Sequence, residues 1–156
     1  MADLVIGQTA PNFEAETQSG ERISLEMFRG TPIVLYFYPK DDTPGCTKEA
    51  CSFRDLNAVF AAAGAKIFGV SRDSVASHQK FADKFLLNFP LLADIDSTIC
   101  EAYGVLKQKN MSGMKSIGIE RTTVVIASDG TIVQIFPQVK VDGHVEDVLA
   151  VVQALS

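Results

Sequence analysis

The sequence predicts an α/β sandwich, and three observations predict it. Two short runs are almost wholly apolar, PIVLYFY at 32–38 and KIFGVS at 66–71, the mark of strands buried on both faces. Around them lie stretches whose apolar residues recur at helical spacing. Two turn dipeptides, Ser19-Gly20 and Asp129-Gly130, each sit between strand-like segments and mark hairpins.

Taken in order, residues 13–24 form the first hairpin. Residues 32–38 are the first buried strand, followed by a polar loop, 39–45. Residues 46–63 are a helix: Phe53, Leu56, Phe60 and Ala63 line one face, and stepping backwards lands on Ala50 and Cys46. Gly64 closes it. Residues 66–71 are the second buried strand. Residues 73–85 are a helix capped by Asp73 or Ser74. FPLLAD, 89–94, is a short strand or extended segment and DSTICEAYGV, 96–105, a short helix. Residues 107–118 have the look of a mobile loop, with charges that are simply solvated. Residues 122–136 are a second hairpin, and 144–155 a terminal amphipathic helix. Phe28, Phe37, Phe81 and Phe85 are assigned to the core. His78 and His144, near helix starts, are assigned solvated or capping roles.

The 156 residues suit a single domain, 1–156, with room for a core. Apolar residues make up 47% and charged residues 21%, as in a soluble globular protein. The net charge of −5 argues against nucleic acid or an anionic membrane as partner. No apolar stretch approaches the ~20 residues of a membrane helix. The N-terminus, MADLVIGQTAPNF, lacks a basic flank and a long apolar run, so no export signal is expected and the expected location is cytoplasmic. The three cysteines, Cys46, Cys51 and Cys100, are too few for a disulfide-rich scaffold. In a reducing compartment such thiols are more often catalytic, metal-bound or buried than structurally bridged.

Chemistry concentrates in YPKDDTPGCTKEAC, Tyr38 to Cys51. Cys46 sits where a loop becomes a helix. Unpaired amides and the helix dipole meet there, and both favour an anion; the thiolate is the nucleophilic form of cysteine. Pro39 and Pro44 stiffen the loop, Gly45 permits close approach of the backbone, and Thr43 offers a small donor and acceptor. Without that loop, Cys46 would pass for a small apolar core residue. Cys51 follows five positions later. Along an ideal helix that is a rise of ~7.5 Å and a turn of ~140°, which sets the two Cα atoms about 8.7 Å apart, beyond the ~7 Å reach of a disulfide. Either the two never bridge, or the first turns of the helix unwind when they do. Helix ends open cheaply, so unwinding is physically reasonable. The spacing fits neither a zinc site nor a C-x-x-C exchanger, and His78 and His144 complete no ligand pattern, so no metal is expected.

The order of elements is similar to a thioredoxin-like fold with an added N-terminal hairpin and an inserted helix. PKDDTPGCTKEAC resembles the active-site signature of peroxiredoxins, in which a proline, a threonine and the peroxide-reactive cysteine are spaced as Pro39, Thr43 and Cys46. The continuation to Cys51 is similar to the bacterioferritin comigratory protein, or Q-type, subfamily. FPLLAD and GIERTTVVI also resemble it, and in the latter Arg121 falls on the family's active-site arginine. The resemblance runs from GQTAPNF to GHVEDVL.

That resemblance implies a thiol peroxidase of peroxiredoxin architecture that needs no cofactor. Cys46 attacks a peroxide and becomes a sulfenic acid; Cys51 resolves it as an intramolecular disulfide; thioredoxin or a glutaredoxin-like dithiol protein restores the thiols. Arg121 would favour the thiolate and donate to the peroxide, Thr43, Gly45 and the Cys46 amide would bind its oxygens, and Pro39 would keep water away. Q-type relatives are often monomers, and a monomer is expected. Glu49 either holds Arg121 or is an ordinary solvated helix residue, and the sequence leaves both open. Cys100 is expected to be a buried thiol, with a minor claim as rival resolver. Two other functions share the same features: a general dithiol–disulfide oxidoreductase, and a redox sensor or binding protein.

Overall fold

Five consecutive buried residues, Ile33–Phe37, form the strand β3 at the heart of the molecule. The computed structural model describes residues 4–111 and 113–155; the export-signal expectation rests partly on residues 1–3, outside that range. Ahead of β3 lie the hairpin β1 (Glu14–Thr17) and β2 (Arg22–Ser24), then a 3-10 turn, Leu25–Phe28. After it come α1 (Pro44–Ala62), β4 (Lys66–Ser71), α2 (Val75–Phe85), β5 (Leu91–Ala93) and α3 (Thr98–Ala102). The chain continues through β6 (Leu106–Met111), β7 (Met114–Ile119), β8 (Thr122–Ile126) and β9 (Ile132–Phe136) to α4 (His144–Gln153).

Seven strands form one sheet in the order β2-β1-β5-β4-β3-β8-β9. β3 runs parallel to β4 and antiparallel to β8, with Leu35 opposite Phe68 on one side and Val124 on the other. Because side chains alternate across a strand, β3 feeds two cores. Val34 and Tyr36 pack with Phe53 and Phe60 of α1, Phe81 of α2 and Val148 of α4. Ile33, Leu35 and Phe37 pack on the other face with Phe13, Ile99, Tyr103 and Ile119. The apolar run is therefore continuous because both faces are covered. Phe37 and Phe81 are buried, and Phe28 and Phe85 pack at the core margin.

Most expected elements stand, with three corrections. Residues 107–118 are not a loop: β6 and β7 pair antiparallel, from Leu106 opposite Ile119 to Met111 opposite Met114. Among the described residues this two-stranded sheet joins no other. Lys107, Gln108 and 114–117 are exposed, so no apolar alternation betrays the strands. The helix expected at 46–63 begins two residues earlier, with Thr43 in extended conformation as its N-cap and Pro44 in its first turn, where the missing amide costs nothing. Ala63 is its C-cap, and Gly64 takes φ +86° just beyond. Thirdly, His78 and His144 are not solvated. Both are buried, His78 against Asp41 and the Leu92 carbonyl, His144 against the Thr123 hydroxyl. Burial pushes the imidazole of His144 down to about 4. Ser74, not Asp73, caps α2, its hydroxyl accepting from the Ser77 amide. Among the described residues no helix is long and apolar enough to cross a membrane.

Candidate active site

The β3–α1 connection delivers Cys46 to the third position of α1. The first intrahelical bond across four residues runs from the Thr47 amide to the Thr43 carbonyl, 2.8 Å. The amides of Gly45 and Cys46 precede it and present the positive end of a 19-residue helix. Cys46 is 2% exposed, on the face that also carries Ala50, Phe53 and Phe60 into the core. Its sulfur thus lies at the junction of an apolar wall and a polar helix end.

Arg121, between β7 and β8, completes the site from across the sheet. Its Nη2 donates to Cys46 Sγ at 3.3 Å, and its Nη1 donates to Glu49 Oε1 at 2.7 Å. One guanidinium therefore bridges two residues that lie three apart on α1, which the helix stacks on one face. Glu49 is fully buried, and Oε2 has no hydrogen-bond partner. Burial pushes its carboxyl up to about 7, with Arg121 pulling the other way. Burial works against the charge on Arg121, but Glu49 and Cys46 outweigh it and strengthen its hold on the proton. Of the two possibilities the sequence left for Glu49, the geometry is that of a residue holding Arg121.

Thr43 is half-buried, and its hydroxyl donates to the Lys40 carbonyl at 2.9 Å. With its hydrogen committed, what it offers a ligand is lone pairs. Pro39 is exposed at the start of the loop. Cys51 is half-buried, and all three cysteines are free. Because α1 is continuous from Pro44 to Ala62, Cys46 and Cys51 have the separation that forbids a bridge without unwinding. Cys100 is buried in α3, where its amide donates to Asp94 Oδ2 at 2.8 Å. Burial first, and Asp94 second, push its thiol far up, so it is a poor source of thiolate.

The structure thus gathers Cys46, Arg121, Glu49 and Gly45, with Thr43 at the rim, and leaves Cys100 apart. Sequence reasoning missed Asp41, the only buried residue between Tyr38 and Cys46. Nothing in the run Asp41-Asp42 tells which carboxylate turns inward.

Two expectations arise from this geometry. A Cβ at Gly45 would lie 3.2 Å from Arg121 Nη2, so Gly45→Ala displaces the guanidinium from the sulfur. Peroxide reactivity should fall by about 3- to 10-fold, since small misplacements of reacting groups are costly. Thermal stability should hold or rise, because alanine suits a helix better than glycine. Stopped-flow oxidation and a melting curve read the two effects separately.

The second concerns pH. Glu49 binds its proton more tightly folded than unfolded, so the folded state carries the extra proton between the ordinary value, 4.5, and about 7. The resulting stability is fully present below that window and is lost as pH rises through it. Urea unfolding of the reduced protein should show Glu49→Gln gaining on the parent between pH 5 and pH 8.

Comparison with known proteins shows the family and the fold. The family model described as AhpC/TSA matches residues 6–135. A Coxiella burnetii protein named for peroxiredoxin Bcp is 53% identical over 146 residues, 94% of this chain and 97% of its own. The solved structure of a Xanthomonas campestris bacterioferritin comigratory protein, described with alkyl peroxide reduction activity and a trapped intermediate, superposes with TM-score 0.88. It is 45% identical over 91% of this chain and 90% of its own. A cysteine-to-serine variant of Xylella fastidiosa PrxQ gives TM-score 0.93 at 39% identity over 99% and 98% of the two chains. The chain belongs to the AhpC/TSA family, in its Bcp or Q-type branch of peroxiredoxins.

Proposed function

We propose that the protein reduces hydrogen peroxide and organic hydroperoxides through Cys46 and resolves the product with Cys51. The observation that carries the reading is Arg121 Nη2 at 3.3 Å from Cys46 Sγ, at the amide end of α1. The helix terminus and the guanidinium both favour negative charge on the sulfur.

A peroxide enters with its terminal O–H towards Thr43, whose hydroxyl oxygen is left to accept. Arg121 and the Cys46 amide donate to the peroxide oxygens. The sulfur attacks the terminal oxygen in line with the O–O bond. That bond breaks, its electron pair leaves on the second oxygen, and a proton converts the leaving group to water or an alcohol. Charge moves from sulfur to oxygen, and fixed donors already point there, so little reorganisation is required. Pro39 limits the water that reaches the sulfur. The product is Cys46 sulfenic acid.

The Cys51 sulfur then attacks Cys46 Sγ, the S–O bond breaks, and water leaves. The first turns of α1 unwind to permit it. A dithiol protein, thioredoxin or one of glutaredoxin type, reduces the disulfide by exchange. The protein works as a monomer in the cytosol, where such reductants are kept reduced.

The test is peroxide consumption coupled to thioredoxin and its reductase, run beside insulin reduction. Rapid peroxide turnover without insulin reduction supports the proposal. Insulin reduction without peroxide turnover would make the protein a dithiol exchanger, and neither activity would make it a sensor or binding protein.

A further inference from the structure

Beneath the loop that carries Pro39 and Thr43 lies a buried polar cluster outside the reaction described above. Asp41 Oδ1 accepts from the Tyr38 hydroxyl at 2.6 Å. Asp41 Oδ2 accepts from the Ser77 hydroxyl at 2.8 Å and faces His78 Nδ1 at 2.7 Å. The other ring nitrogen, Nε2, faces the Leu92 carbonyl oxygen at 2.9 Å. Both nitrogens meet oxygens, so the ring of His78 links the Asp41 carboxyl group to the Leu92 carbonyl. The Asp41 amide donates to Asp73 Oδ2 at 2.8 Å, and the Ser71 hydroxyl donates to the same oxygen. Asp41 is thus tied by side chain to α2 and by backbone to the β4–α2 turn.

This tie is singular. Pro39, Lys40, Asp42 and Pro44 are exposed, Thr43 and Gly45 half-buried. Immediately after Asp41 the chain takes a left-handed conformation at Asp42, φ 58°, which suits few residues other than glycine. The side chain of Asp42 makes an exposed ion pair to Lys84 at 2.8 Å, and such pairs are weak. The firm anchorage therefore ends at Asp41, and the weakly held segment runs straight into the turn that must unwind.

We propose that the Asp41–His78 pair is a positioning latch: it holds the loop for peroxide attack, opposes unwinding of α1, and so sets how Cys46 sulfenic acid divides between two fates. The proposal rests on the peroxidase reading. In one fate Cys51 attacks Cys46 Sγ, water leaves, and a disulfide forms. In the other, the sulfenate attacks a second peroxide molecule, the O–O bond breaks, water or alcohol leaves, and the sulfur is oxidised to sulfinic acid. The latch keeps Lys40 placed to accept from Thr43, which favours the folded site and delays the first fate. Losing it should slow oxidation of Cys46 and speed formation of the disulfide.

The test uses the full reduced chain, with Asp41→Asn and, as a milder change, Ser77→Ala. Each protein receives a pulse of hydrogen peroxide over a range of excess, then acid quench and intact-mass and peptide mass spectrometry. The measured quantity is the ratio of sulfinic acid to disulfide. A general loss of packing lowers thermal stability and the amount of reactive protein without moving that ratio. One lost hydrogen bond shifts an equilibrium by about 3- to 10-fold, so the ratio should fall by about that factor in Asp41→Asn, and less in Ser77→Ala. A folded Asp41→Asn with an unchanged or raised ratio overturns the latch. If Asp41→Asn does not fold, an unchanged ratio in Ser77→Ala overturns it. A parent protein that forms no sulfenic acid overturns the peroxidase reading and the latch with it.

Discussion

Cys46→Ser is expected to abolish peroxide consumption and leave the fold standing. The substitution exchanges one atom in a site that is 2% exposed, so the packing of α1 on the sheet changes little. The chemistry changes completely. A serine hydroxyl does not ionise at neutral pH, and the group that faces position 46, Arg121 Nη2, is a donor only and takes no proton from it. The positive end of α1 and the guanidinium then face a neutral oxygen. Loss of an essential nucleophile typically costs at least ~10³-fold in rate, so turnover in the thioredoxin-coupled assay should sink into background. Near-native circular dichroism with lost turnover would carry the assignment. A serine variant that still consumed peroxide at a tenth of the parent rate would remove Cys46 from the mechanism.

Some of this molecule was legible in its residues, and the reasons differ between elements. β3 and β4 announce themselves because a strand covered on both faces has no polar alternation to confuse with anything else. α1 is legible from Phe53 and Phe60, but its start is not. Pro44 and Gly45 look like loop residues, although proline in a first turn begins a helix well. β6 and β7 are invisible to periodicity because the base of that hairpin, Leu106 and Ile119, enters a core while Lys107, Gln108 and 114–117 are exposed. At the site, Cys46, Thr43 and Arg121 were found through spacing and resemblance. Asp41, His78 and His144 were missed for one physical reason. A buried polar residue is admitted only when partners satisfy it, and key partners here, Asp41 for His78 and Thr123 for His144, lie more than twenty residues away in sequence. No local pattern encodes them. The same reason left Glu49 undecided until Arg121 was seen beside it.

Replacing Cys51 by serine should separate the two halves of the cycle. The Cys46 site does not include the Cys51 sulfur, so the first reaction with peroxide should proceed within about twofold of the parent rate, as for substitutions away from the reacting groups. The second half should change by orders of magnitude. A thiol on the same helix, once its first turns open, acts at millimolar effective concentration, about 10³-fold above a micromolar external thiol. Without it, Cys46 sulfenic acid waits for an external thiol or a second peroxide. Turnover supported by thioredoxin should therefore drop by up to ~10³-fold, and sulfinic acid at Cys46 should accumulate. Cys100 cannot substitute: it is fully buried in α3 on the opposite core, and burial beside Asp94 suppresses its thiolate. Peptide mapping after one equivalent of peroxide decides the matter. The parent should yield a single Cys46–Cys51 linkage, and the variant none within the chain. A Cys46–Cys100 linkage, or unimpaired recycling in the variant, would show that α1 need not unwind at Cys51 for the enzyme to turn over.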